Sequence, residues 1–336
     1  MIRVAMLSFW HVHARDYARE AMEHSDVTIV AAWDEQPERG RTESQARGLR
    51  FYEQLDELLA QPDIDAVIVG TPTTMHTEVL LKAAQAHKHI FTEKVLAPTV
   101  SECNTILAAI KQANVKLTVS LPRLNAGYTQ AIQAILARHQ LGTLTQARVR
   151  LSHNGAISTS ENPHGWLPAH FFNLEQCAGG AMIDLGCHPM YLTRLFLGMP
   201  ESVSAHYGYI TGRAVEDNAV VILHYPQGAL GIVEAGFVNR HSPFTIEVHG
   251  SEGSLLYGTP QSTLQLRSSL VAGGEHWQSE QPLPPDRPSA FKQWITHIQQ
   301  GTTASENIQM ALDLTTLMEA AYRSAHQKQP VRLDSL

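Results

Sequence analysis

Asp184 and His188 stand four residues apart in Gly179-Gly180-Ala181-Met182-Ile183-Asp184-Leu185-Gly186-Cys187-His188, ahead of Pro189 and an apolar run to Leu197. If this stretch opens a helix, the two fall on one face, with about 5–6 Å between their Cβ atoms. A carboxylate beside an imidazole orients the ring and stabilises its protonated form, which is what a general acid/base histidine requires. The competing reading is two polar residues on a solvated helix face. The glycine pair, which permits close backbone approach, and the apolar neighbours favour the first.

Around this stretch, 336 residues that are 43% hydrophobic and 17% charged suffice for about two domains. A net charge of −7 without blocks of like charge disfavours nucleic acid or an anionic membrane as partner. Three cysteines without recognisable spacing imply a reducing compartment. The start MIRVAMLSFWHVHA lacks a signal-peptide core, and no apolar run approaches the ~20 residues of a membrane span. A cytoplasmic protein is expected.

The elements that must position the chemistry follow from the apolar pattern. Strands are expected at 2–7, 27–33, 66–69, 89–92 and 115–120, alternating with helices near 14–24, 37–47, 55–60, 75–87 and 100–113. That alternation predicts a doubly wound parallel sheet of the Rossmann kind. Right-handed crossovers bring all carboxyl strand ends to one edge, where such sheets bind ligands. Ser8, Asp34, Thr71 and Glu93-Lys94 each lie just past a strand end. Beyond Pro122 a helix near 128–139 and a strand at 144–152 come first. A Gly/Ser/Asn/Pro-rich loop at 155–170 and the helix after Asp184 follow. Six short strands between 202 and 267 and two closing helices complete the chain. Short connections between successive strands predict a large, mainly antiparallel open sheet in an α+β domain. The expected domains are 1–121 and 122–336.

The first loop, Ser8-Phe9-Trp10-His11-Val12-His13-Ala14, contains no glycine, where a dinucleotide fold usually places G-x-G-x-x-G. The helix after it still attracts an anion through its dipole and free N–H groups. Asp34 suits ribose hydroxyls and disfavours a 2′-phosphate, so NAD is expected ahead of NADP, which is not excluded. The alternative role for Asp34 is a helix cap or turn. His11-Val12-His13 admits a second reading, a metal-dependent hydrolase with two imidazoles on one ion. That reading requires a barrel with further His and Asp ligands at later strand ends. The expectation here is no metal.

Taken in order, several segments resemble the Gfo/Idh/MocA oxidoreductases, the family of glucose-fructose oxidoreductase and inositol dehydrogenase. They are Asp34 with Gln36-Pro37-Glu38-Arg39, Asp65-Ala66-Val67-Ile68-Val69-Gly70-Thr71-Pro72, His76, and Lys88-His89-Ile90-Phe91-Thr92-Glu93-Lys94. The stretch from Gly179 to His188 and Ile246-Glu247-Val248-His249-Gly250-Ser251-Glu252-Gly253 complete the set. The resemblance covers nearly the whole chain and is specific for the fold, not for a substrate.

The resemblance implies hydride transfer between nicotinamide and a carbinol carbon of a sugar, cyclitol or similar polyhydroxy molecule. Lys94 would hydrogen-bond the reacting hydroxyl beside the nicotinamide, Asp184 would orient and charge-balance the site, and His188 would take the hydroxyl proton. Oxidising a secondary alcohol needs such a base together with a hydride acceptor. Ser8, Phe9, Trp10, His11, His13, Asp34, Thr71, Pro72, Thr73, His76, Glu93 and Lys94 are the expected cofactor contacts. Arg123, His153, Trp166 and His170 join Asp184 and His188 as expected substrate contacts, each with a structural alternative. The family's Glu-Lys-Pro reads Glu93-Lys94-Val95 here. A non-catalytic nucleotide- or sugar-binding protein of the same fold is the second reading. The family likeness also implies a homodimer or homotetramer.

Overall fold

The computed structural model describes all 336 residues. The first 121 form β1 (Ile2–Leu7), α1 (Ala14–Glu23), β2 (Val27–Trp33), α2 (Pro37–Arg47), β3 (Arg50–Tyr52), α3 (Leu55–Leu59), β4 (Ala66–Val69), α4 (His76–Gln85), β5 (His89–Thr92), α5 (Val100–Ala113) and β6 (Leu117–Val119). Local chemistry accounts for most of the boundaries. All four residues of β4 are buried, as expected of a central parallel strand covered on both faces. α1 buries Ala14, Tyr17, Ala18 and Ala21, one stripe of a 3.6-residue period. α2 starts on Pro37 and stops at Gly48, whose φ of 66° suits glycine. Thr99 caps α5 through the amide of Glu102, whose carboxylate receives the Thr99 hydroxyl.

The strand order is β3-β2-β1-β4-β5-β6 and every pairing is parallel. The order reverses between β1 and β4, which is where such sheets open a crevice for a dinucleotide. β3 escapes the periodicity because one exposed and two half-buried residues on a sheet edge leave almost no apolar pattern.

The remaining residues form α6 (Gly127–Ala137), β7 (Leu144–Ser152), α7 (Leu174–Cys177), α8 (Cys187–Leu197), β8 (Ser202–Gly208), β9 (Asn218–His224), β10 (Leu230–Gly236), β11 (Thr245–Gly250), β12 (Gly253–Gly258), β13 (Thr263–Ser268), β14 (Gln278–Glu280), α9 (Ala290–Gln300), α10 (Ser305–Gln327) and β15 (Val331–Arg332). Nine strands form one sheet in the order β14-β13-β12-β11-β7-β10-β9-β8-β15. Its neighbours are antiparallel except β7 and β10, which run parallel. β7 enters the middle of the sheet from far upstream, so no short turn dictates its direction. β9 shows the expected alternation, with Ala219, Val221 and Leu223 inward and Val220 37% exposed on the open face.

The chain clusters into two compact units, 1–121 with 288–315, and 122–287 with 316–336. The sequence pattern groups 288–315 with the second domain; the observed contacts group them with the first. Phe291 and Trp294 of α9 pack on Phe91 of β5, with ring centroids 5.6 and 5.7 Å away. Trp294 Nε1 donates to the carbonyl of Lys116 at 3.2 Å. The Asn307 side chain both accepts from the Val119 amide and donates to its carbonyl, closing the otherwise unpaired edge of β6. No helix is long and apolar enough to cross a membrane.

Candidate active site

In the first unit the residues expected from the strand ends do gather along the carboxyl edge of the sheet. Ser8 follows β1 with φ 75°, and the next residues form a closed loop. The amide of Phe9 donates to Asp34 Oδ2 (2.9 Å), that of Trp10 to Ser8 Oγ (3.0 Å), that of His11 to the Gly70 carbonyl (3.0 Å), and that of His13 to His11 Nδ1 (3.2 Å). The backbone donors that a glycine-rich loop presents to a pyrophosphate are here paired within the protein, with Phe9 and Trp10 buried beneath.

Asp34 is equally committed. Oδ1 accepts from the Gln36 amide and Arg39 Nη2, and Oδ2 from the Phe9 amide and Arg39 Nε. A carboxylate offers about four lone-pair positions, so the Arg39 fork and two amides fill them. Asp34 thus anchors the first loop to the start of α2, and Arg39 stands beside it.

Further along the edge, His76 Nδ1 donates to the carbonyls of Val95 and Leu96, at 2.9 and 3.3 Å. Its Nε2 and the hydroxyl of Thr71 are buried with no hydrogen-bond partner in the protein. Buried polar atoms are rarely left so. Here two of them sit past β4, beside the crevice between β1 and β4, and they fit a polar ligand held there. Burial lowers the His76 pKa, which keeps the ring neutral and Nε2 an acceptor.

Glu93, fully buried at the end of β5, is a hub. His13 Nδ1 donates to Oε1 at 2.9 Å, Tyr17 donates to the same oxygen, and the Lys94 amide donates to Oε2 at 3.0 Å. The Tyr17 hydroxyl also contacts Ser120 Oγ at 2.8 Å. Burial opposes ionisation of Glu93. The nearby His11 charge, the His13 hydrogen bond and charge, and Lys94 outweigh it and hold the carboxyl well below the usual range. The Lys94–Val95 peptide is cis, and Lys94 is 5% exposed.

His11, His13 and Glu93 bring ligand-capable atoms within 4.8 Å of one another. Glu93 Oε1 already serves His13 and Tyr17, so the cluster is satisfied as a hydrogen-bonded unit. The hydrolase alternative needs a closed barrel, and the open six-stranded parallel sheet with a separate antiparallel unit overturns it.

In the second unit, Asp184 lies within a π turn, Met182–Gly186, that precedes α8. An i, i+4 juxtaposition requires an α-helix, and the wider π turn changes the phase between Asp184 and His188. Glu216, which sequence reasoning missed, anchors this turn. Its carboxylate accepts from the amides of Gly180 and Met182, both at 2.9 Å, and its carbonyl from Ala181 at 2.8 Å. A Cβ on Gly180 would lie 2.1 Å from the Glu216 carbonyl oxygen, so this close approach requires glycine. Burial raises the Glu216 pKa against those backbone hydrogen bonds.

His188 is buried on α8, its Nδ1 3.0 Å from the Tyr191 hydroxyl. His153, at the end of β7, stacks on Phe237 (centroids 5.1 Å, planes 12° apart) and meets Trp166 at 4.7 Å. Burial lowers the His153 pKa, with the charge of Asp184 acting in the opposite sense. Trp166 is 54% exposed and donates to Asn154 Oδ1. Arg123 lies 4.1 Å from the Phe244 ring centroid and donates to the Tyr128 hydroxyl. His170 sits on the short helix Ala169–Phe172, its ring 5.1 Å from that of Phe171. Among the expected substrate residues, His153 and Trp166 are therefore in direct contact.

A doubly wound sheet with buried polar residues along its carboxyl edge is the arrangement that binds dinucleotides in open α/β sheets. Residues 3–121 match the oxidoreductase family with an NAD-binding Rossmann fold, and residues 129–256 the GFO/IDH/MocA C-terminal domain. The chain belongs to the Gfo/Idh/MocA oxidoreductase family. It is 28% identical over 276 residues to the 1,5-anhydro-D-fructose reductase of Ensifer adhaerens, covering 81% of this chain and 80% of that one. Over 237 residues it is 32% identical to the scyllo-inositol 2-dehydrogenase (NAD(+)) of Bacillus subtilis, covering 66% and 64%. A solved levoglucosan dehydrogenase, in complex with NADH and levoglucosan, matches with a TM-score of 0.81 at 21% identity over 99% of both chains. A putative NADPH-dependent oxidoreductase from Desulfitobacterium hafniense matches with 0.84 at 17% identity, over 99% of this chain and 98% of that one.

Proposed function

We propose that the protein oxidises or reduces a carbinol carbon of a neutral sugar, cyclitol or similar polyhydroxy molecule. The observation that carries this reading is the pairing of a buried lysine on the Glu93 hub with unpartnered Thr71 and His76 atoms on the same edge, in a chain whose relatives include sugar and inositol enzymes. The bound nicotinamide supplies the hydride acceptor or donor. Thr71 and His76 hold the cofactor, with Ser8, Pro72, Thr73 and the Phe9–His13 loop around it. Arg39 would receive a 2′-phosphate where Asp34 alone would repel one, so both cofactors belong in any test. In the first unit Lys94 supplies an ammonium able to hydrogen-bond a hydroxyl, and in the second His188 supplies an imidazole able to do the same. Asp184 balances charge. Trp166, half exposed, offers an aromatic face to a sugar ring beside His153.

The test is a panel of cyclitols, aldoses and keto-sugars with NAD and NADP in both directions, read by nicotinamide absorbance. Thermal-shift titrations of each cofactor accompany it. Turnover of at least one polyol or its ketone is expected, with stabilisation by the cofactor used. Stabilisation without turnover of any substrate favours a non-catalytic binding protein; no stabilisation by either cofactor ends the reading.

The protein also acts in the cytoplasm as a homo-oligomer, on this proposal. Support comes from the open face of the nine-stranded sheet. There Val220 and Leu230 are 37% and 39% exposed beside Ile222 and Ile232. Light scattering after size exclusion is expected to give a multiple of 37.1 kDa; a monomer at micromolar concentration would exclude it.

A further inference from the structure

We propose that Tyr191 is a positioning residue that fixes His188 as the neutral Nε2–H tautomer, so that His188 acts as a hydrogen-bond donor and not as the base. This rests on the reading above that His188 serves the reacting oxygen. Three groups carry the inference, all in the second unit. Tyr191 stands one helical turn after His188 on α8 and is completely buried. Its oxygen accepts a hydrogen bond from the Arg123 amide at 3.1 Å. Its remaining hydrogen-bond partner is His188 Nδ1, at 3.0 Å.

The proton between Tyr191 and His188 has two possible owners. If Nδ1 carries a hydrogen, the phenol oxygen accepts twice, and the phenol's own hydrogen is left buried without an acceptor. If the phenol donates, Nδ1 presents its lone pair and each polar atom at this contact is paired. A stranded buried donor is disfavoured by roughly ten- to a hundredfold in population, so the second arrangement dominates. The phenol stays protonated, because burial raises its pKa well above the usual value and the opposing influence of Arg123 is smaller.

A neutral imidazole whose Nδ1 accepts must hold its hydrogen on Nε2. Nε2 is then a donor with no free lone pair. Full protonation of the ring is opposed by the same contact, since it would again strand the phenol hydrogen. His188 therefore lends a hydrogen bond to the substrate oxygen and keeps its proton. This removes His188 from the role of base that the family likeness implies for it.

Two-bond proton–nitrogen spectra of protein labelled with ¹⁵N-histidine read the tautomer directly and need no substrate. His188→Gln assigns the signal among the eighteen histidines. The wild-type signal is expected to show Nε2–H at neutral pH, and Tyr191→Phe to give a mixture of tautomers. Once a substrate is known, Tyr191→Phe is expected to lower kcat about tenfold or more while KM for the cofactor changes less than about twofold. An Nδ1–H signal in the wild type overturns the proposal even if Tyr191→Phe does not fold. An unchanged spectrum in Tyr191→Phe also overturns it. If the spectrum is as expected and no polyol is turned over, the functional reading fails and the tautomer assignment stands.

Discussion

Lys94→Met is expected to lower kcat by roughly a thousandfold or more, while the melting temperature and the stabilisation by cofactor stay close to wild type. Methionine keeps most of the side-chain length and loses the charge and the exchangeable proton. The backbone is held by the Lys94 amide on Glu93 Oε2, and that bond survives the substitution. Lys94 is 5% exposed, so solvent does not readily substitute for it. Stopped-flow and steady-state assays on the substrate found in the panel give the comparison. A variant within about tenfold of wild-type kcat would remove Lys94 from the chemistry. A variant that also loses cofactor stabilisation would assign it to binding instead.

Glu93→Ala is expected to destabilise the protein by about 3 kcal/mol at pH 7, because it leaves His13, Tyr17 and the Lys94 amide without their common acceptor. The wild-type carboxyl is held well below its usual range in the folded state. Its contribution is therefore complete above the unfolded-state pKa of about 4.3, and it disappears as pH falls through the lower folded value. Urea unfolding of wild type and variant at pH 7 and at successive steps below pH 5 measures this. The two curves should converge on the acid side. A difference at pH 7 below about 1 kcal/mol would mean that the hub is not holding the loop.

How much of this was readable beforehand differs from residue to residue. The sequence marks Asp34 as a strand-end acid, and it is one. The Arg39 fork and the Phe9 amide that occupy it lie on other segments, and their approach depends on how α2 and the first loop fold back. The Gly179-Gly180 pair marks a point of close backbone approach; the partner, Glu216, lies 36 residues downstream and carries no local signature. The i, i+4 spacing of Asp184 and His188 invites an α-helical reading, and a π turn intervenes.

The primary structure alone settles the six-stranded parallel sheet's central strands, the polar residues at their ends and most of the antiparallel strands, because apolar periodicity and turn chemistry are local. Folding decides the rest. β3, β14 and β15 are two- or three-residue edge strands that exist through their neighbours' hydrogen bonds. The parallel register of β7 with β10, and the return of 288–315 to the first unit, depend on which distant surfaces bury each other. The tautomer of His188 is decided in the same way. Tyr191 and His188 share a helix, but the amide that also bonds the phenol oxygen arrives from Arg123, 68 residues earlier. Hydrogen-bond saturation is a property of a packed interior, and only the assembled chain specifies it.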